Sequence, residues 1–208
     1  MSKQVQGVDA QYITSKRNSG RRKLMIVLVI CALPMIASYI SYYFIKPTGR
    51  LNYGKLLEPQ KTIPSLILTE TNLVNFPIDS LKGKWLMITV GGAKCDQACE
   101  EQLFYLRQIR LAQGKDSERI TRLRLVTDNE NVDSQLSEKY AGTLFLRADE
   151  KQIVAWLSEG EMESINELST HIFLVDPLGN LMMRFPAQPD PSKIKKDIIR
   201  LLKASSIG

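Results

Sequence analysis

Two cysteines, Cys95 and Cys99, stand four residues apart in the segment Gly92-Ala93-Lys94-Cys95-Asp96-Gln97-Ala98-Cys99, and the chain has one histidine, His171. Thiols at i and i+4 lie on one face of a helix start, close enough to bridge or to share a metal ion. Three chemistries compete for the pair. A structural disulfide would be an inefficient staple, because a bond across three residues closes almost no loop. As a redox couple, Cys95 would attack a partner disulfide and Cys99 would resolve the mixed intermediate. As metal ligands, two thiolates with the imidazole of His171 suit copper, whereas a closed zinc site would want a fourth ligand. Helix N-terminal amides and Lys94 favour a thiolate at Cys95, and Asp96 and Glu100 oppose it. His171 has a bland alternative, an ordinary hydrogen-bonded side chain, and its parity along a strand decides which face it meets.

The elements that would position these residues can be read from apolar spacing. Trp85-Leu86-Met87-Ile88-Thr89-Val90, bounded by Gly83 and Gly91-Gly92, predicts a buried parallel strand ending just before the cysteines. Cys99, Leu103, Leu106 and Ile109 predict one face of a helix from Gln97 to Gln113. A strand over 123–127, a short helix around Val132–Tyr140, an extended piece over 142–146 and a helix through Ile153–Leu157 follow. Residues 171–175 and 181–185 flank Asp176-Pro177-Leu178-Gly179-Asn180, a hairpin signal, and residues 66–69 and 74–78 suggest a smaller one. Asp190 as N-cap and Pro191 open a terminal helix with Ile194, Ile198, Leu201 and Leu202 inward. The order β, α, β, α, hairpin, helix is that of an α/β, thioredoxin-like fold, a central mixed sheet flanked by helices.

Charge and hydropathy locate this domain. The 208 residues carry a net charge of +6, of which residues 1–23 account for +5, so the remainder is nearly neutral and lacks the footprint of a nucleic-acid binder. Leu24–Ile45 contains no charge, and its 22 residues make a helix of about 33 Å, enough to span a bilayer. Arg21-Arg22-Lys23 before it orient the N-terminus to the cytoplasm, and Tyr39, Tyr42, Tyr43 and Phe44 gather at the far interface. The expected organisation is a basic cytoplasmic segment over 1–23, a single transmembrane helix over 24–45, a tether over 46–64 and the folded domain over 65–208. Cys95 and Cys99 then face an oxidising compartment, the periplasm of a bacterial inner-membrane protein. Arg119, Arg122 and Arg124 read as a solvated basic face, and Trp85 and Trp156 as core. No phosphate loop, Ser/His/Asp set or paired-carboxylate motif stands out.

Taken together, the anchor, the tether, Leu81-Lys82-Gly83-Lys84-Trp85, the CxxxC pair, Leu125-Val126-Thr127-Asp128 and Phe173-Leu174-Val175-Asp176-Pro177-Leu178-Gly179-Asn180 resemble the Sco (SenC/PrrC) family of membrane-anchored copper chaperones. The resemblance implies Cu(I)/Cu(II) held by Cys95, Cys99 and a histidine, and delivery to, or reduction of, the copper site of a cytochrome c oxidase subunit. Another copper or thiol partner protein, a thiol–disulfide reductase activity, and a scaffold without copper or redox chemistry are the alternatives. The chain departs from the family pattern at three points: Asp96 and Glu100 stand where proline usually follows each cysteine, and Leu168 stands where the family's histidine aligns. His171, three residues on, matches that position loosely. Thr170 falls where redox thioredoxins carry their cis-proline.

Overall fold

A computed structural model describes residues 5–44, 52–64, 67–70, 75–159 and 163–207. Residues 1–4, the start of the expected tether over 46–51, Leu66 and Val74 lie outside the described residues. The chain divides into two units, Met1–Arg50 and Leu51–Gly208.

The first unit is a helix, α1 (Val5–Phe44), in which Gly20–Tyr43 is long and apolar enough to cross a membrane, an 18-residue window of it having a mean hydropathy of 2.4. Within that stretch the side chains from Leu24 to Ile30 are exposed. From Val5 onward the basic segment lies in the same helix as the apolar stretch. Pro34 sits inside the helix, a position that membrane helices tolerate.

In the second unit eight strands among the described residues form one mixed sheet in the order β1-β8-β7-β4-β5-β6-β2-β3. At its centre β4 (Trp85–Gly91), β5 (Ile120–Val126) and β6 (Thr143–Arg147) run parallel. The hairpin β7 (Phe173–Val175) and β8 (Asn180–Arg184) joins β4 antiparallel, and β2 (Ile67–Glu70) with β3 (Asn75–Pro77) joins β6. Every residue of β4 is buried, as expected of a central strand covered on both faces. Leu86, Ile88, Val90, Leu123, Leu125 and Phe173 pack towards α4 (Glu150–Leu157) and α5 (Ile165–Leu168). Trp85, Met87, Ile120, Ile172 and Leu174 pack instead with Leu106 and Ile109 of α2 (Gln97–Leu111) and with α6 (Pro191–Ala204). Towards its start α2 meets α3 (Ser134–Lys139) through Cys99, Leu103 and Leu136. The strand period of two thus sorts the two layers.

Part of the expected tether is a strand. Lys55–Thr62 forms β1, antiparallel to β8 at the edge of the sheet, so the folded unit begins well before residue 65. Its sequence, KLLEPQKT, carries the lysines and proline that an edge strand uses to deter further pairing, and those same residues imitate a linker. Two contacts hold the segment down. Asp197 of α6, 2% exposed, accepts from the backbone N–H groups of Tyr53 and Gly54 at 2.7 and 2.9 Å, and Lys61 Nζ donates to Ser158 O at 2.6 Å.

The Asp197 contact generates a stability prediction. Asp197→Ala leaves two amide donors without their charged acceptor and should lower the unfolding free energy by about 2–3 kcal/mol in urea titration. Asp197→Asn, which keeps one acceptor oxygen, should lose less.

Candidate functional site

The strand β4 ends at Gly91, and the chain turns through Gly92, Ala93 and Lys94 to reach Cys95 before α2 begins. The turn is built around two side chains from the neighbouring strand and its extension. Arg124 donates from Nη1 to Val90 O at 2.8 Å and from Nη2 to Gly92 O at 3.3 Å. Asp128 accepts from Ala93 N, with its two oxygens at 3.0 and 3.2 Å. Both glycines are needed for space: a Cβ at Gly91 would lie 2.6 Å from Arg124 Nη2, and one at Gly92 would lie 2.6 Å from Asp128 Oδ2. Gly91 also has φ +146°, which L side chains rarely adopt.

Arg124 is 4% exposed, and burial pushes its pKa down to about 10, against the opposing pull of Asp96 and Asp128. The reading of Arg119, Arg122 and Arg124 as a solvated face is therefore corrected. Arg122 and Arg124 lie on the α2 side of β5 and are covered by that helix. A central parallel strand is buried on both faces, so charged residues alternating along it are enclosed rather than solvated, and that was the available signal.

Cys95 and Cys99 form a disulfide, with Cα atoms 5.2 Å apart. Asp96, at one of the positions where the chain departs from the Sco pattern, is the N-cap of α2: its carboxylate accepts from Cys99 N at 2.9 Å. Glu100, at the other, is ion-paired with Lys139. The two sulfurs differ in access, Cys95 being half-buried and Cys99 buried beneath the first turn of α2. Cys99 lines a cleft of about 650 Å³ together with Gln102, Tyr105, Arg124, Ser169 and Thr170. Cys95 opens onto a smaller one of about 380 Å³ with Lys94, Asn131, Leu136 and Lys139. Across the larger cleft, Gln102 Nε2 donates to Ser169 O at 2.9 Å and ties α2 to the loop before β7.

His171 is not brought to the cysteines. Among the described residues no group of three His, Cys, Asp or Glu side chains is arranged to hold a metal ion. The reason is strand parity. Ile172 and Leu174 face α2 and α6, whereas Phe173 faces α4 and α5, and the His171 ring lies against Phe173 with centroids 6.4 Å apart. Its Nδ1 donates to Phe185 O at 2.7 Å, which places a proton on that nitrogen. Leu168, at the family's histidine position, is fully buried in the core.

Comparison with known proteins follows this geometry. Residues 85–205 match the family described as the transmembrane-like, thioredoxin-like, C-terminal domain. A Stutzerimonas stutzeri protein named for copper binding is 29% identical over 94 residues, 44% of this chain and 43% of that protein, so the chain matches less than half of its relative's length. Yeast Sco1 superposes with a TM-score of 0.56 at 17% identity, covering 72% of this chain and 98% of that one; it has also been solved with copper bound. BsSco, described as a cytochrome c oxidase assembly protein with a disulfide switch, superposes at 0.52 and 16% identity, covering 70% of this chain and 92% of its own. At these identities the structural likenesses establish the thioredoxin-like fold.

The surroundings of His171 carry a pH prediction. Burial of the ring lowers its pKa from 6.5, the hydrogen bond to Phe185 O opposes that shift, and the Arg184 charge adds to it. Because the folded-state value is the lower one, the contribution to stability is present above pH ~6.5 and is lost as pH falls through the folded-state value. Urea unfolding of the wild type should weaken more between pH 7.5 and pH 5 than that of His171→Gln, and equal losses would contradict the assignment.

Proposed function

This chain belongs to the transmembrane-like, thioredoxin-like C-terminal domain family, and from that premise we propose that it is a membrane-anchored, Sco-like copper and redox factor whose working group is the Cys95–Cys99 pair. The observation that carries this reading is the disulfide itself, held at the start of α2 with Cys95 half-buried and Cys99 buried. In a thioredoxin-like frame that asymmetry gives the two sulfurs different tasks.

Reduction runs through Cys95. A thiolate of an external dithiol attacks Cys95 Sγ, the Cys95–Cys99 bond breaks, and Cys99 leaves as a thiolate at the helix N-terminus. The second thiol of the reductant then attacks its own sulfur in the mixed disulfide, Cys95 is released, and the reductant departs as a disulfide, having given two electrons to the pair. The reduced pair offers two soft sulfur donors, a set suited to Cu(I) as cargo. The donor set present does not fit a third ligand from His171, which points to the other face of the sheet. Delivery of copper to, or thiol reduction at, a cytochrome c oxidase subunit is the role that the Sco resemblance supports. The anchor over 24–45, with Arg21-Arg22-Lys23 before it, supports a bacterial inner-membrane protein whose domain faces the periplasm. The missing third ligand specifically favours a second reading, a thiol–disulfide reductase that carries no metal.

A copper titration distinguishes the two. The full chain in detergent, reduced and kept anaerobic, should retain about one Cu(I) against a chromophoric chelator. Cys95→Ser should abolish retention and His171→Ala should leave it unchanged, while the oxidised protein should retain none. Failure of the reduced wild type to hold copper, together with a mixed disulfide accumulating in Cys99→Ser, would establish the reductase instead.

A further inference from the structure

Around Arg122 of β5, three arginines gather with no carboxylate paired to them among the described residues. Arg122 lies near the start of β5, where it is level with Met87, whereas Gly91, beside the cysteine loop, is level with Val126. Arg122 is 3% exposed; its Nη2 donates to Ala141 O at 2.7 Å, but its Nε and Nη1 are buried with no acceptor. Thr143, directly across from it on β6, is also buried, and its Oγ1 likewise has no partner. Arg107 and Arg110, half-buried on α2, reach down on either side. Arg107 Nη1 donates to Lys139 O and Arg110 Nε to Ile120 O, both at 2.9 Å. Gly142, at φ +82°, leaves room, since a Cβ there would sit 2.9 Å from Arg122 Nη2.

None of the three is ion-paired with a carboxylate among the described residues. The contrast with the other enclosed arginines is informative: Arg184 has Glu163 at 2.8 Å, and Arg124 has Asp96 and Asp128 acting on it. Around Arg122 the charges that act are Arg110 and Arg107, and together with burial they lower its pKa. A buried cation with open donors and only like charges beside it costs stability unless something negative binds there. Guanidinium donors plus a hydroxyl match the oxygens of a tetrahedral oxyanion.

We propose that Arg107, Arg110 and Arg122, with Thr143, form a binding site for a phosphate-class oxyanion, with Arg122 Nε and Nη1 and Thr143 Oγ1 as its inner donors. The anion enters past the half-exposed Arg107, whose guanidinium lies over the Phe104 and Tyr140 rings. The group has two sources, free phosphate or a phospholipid headgroup.

Thermal unfolding of the full chain in non-ionic detergent tests the site independently of the cysteines. Inorganic phosphate should raise the melting temperature by about 4 °C over chloride at matched ionic strength once it exceeds its dissociation constant roughly tenfold. Should the rise come only when phosphatidylglycerol is added to the detergent, the anion is the headgroup. Arg122→Met should lose the increment while melting no lower than the wild type without phosphate, because its unpaired charge is gone. Arg107→Gln, at a half-exposed position that spares the core, should weaken the apparent phosphate affinity about tenfold. Identical melting in phosphate, chloride and phosphatidylglycerol, or an equal increment in both variants, overturns the proposal.

Discussion

Arg124 brings a guanidinium into the layer between the sheet and α2, and the two carbonyls that receive it, Val90 O and Gly92 O, bracket the strand end that leads to Cys95. A charge that far from water is tolerated only where the chain surrounds it with acceptors and opposite charge. The protein does both, and the shape of the cysteine loop follows. The carbonyls must turn towards the guanidinium, which calls for glycine at 91, and the anions must stay near, which recruits Asp96 and Asp128.

Asp96 then serves two demands at once. Its charge acts on Arg124, and its side-chain oxygen caps α2 through Cys99 N. A proline at this position, as in the Sco pattern, could supply neither. The residue that departs from that pattern thus acts on the buried arginine as well as on the helix. Asp128 plays the matching part on the other side of the loop, where its carboxylate fills the space that a side chain at position 92 would need. Cys95 and Cys99 are thus positioned by a small electrostatic frame as well as by helix geometry.

Much of this architecture was legible from apolar spacing. The short apolar run Trp85–Val90, bounded by glycines, identified a strand covered on both faces, and the helical spacing of Cys99, Leu103, Leu106 and Ile109 identified the face of α2 that packs inward. The elements that escaped did so for physical reasons. The strand β1 is an edge strand, so its lysines and proline satisfy a rule about pairing that also describes a linker. The helix α5 has only four residues, stabilised by the capping box of Ser164 and Glu167 rather than by any long periodic pattern. At the site, the cysteine pair was readable because its spacing is local. Arg124 was not, because its role depends on a helix from another part of the chain closing over β5.

His171 and the arginines show how far residue identity falls short of position. A lone histidine at the start of a strand, expected near the sheet end that carries the cysteines, invites a ligand reading, yet the alternation of Ile172, Phe173 and Leu174 turns it to the layer of Phe173. One residue of register separates the surroundings of Ile172, which packs with Trp85, Met87 and Leu106, from those of His171 beside Phe173. The charge balance behaves in the same way. A domain that is nearly neutral in sum still encloses two arginines two residues apart on the same face of β5, Arg122 and Arg124. Arg124 has its anions built into the fold, close to the cysteines; Arg122 has only like charges around it. Neutrality of the whole thus conceals two local fields of different character on one face of β5, one internally balanced beside the cysteine loop and one open to an external anion.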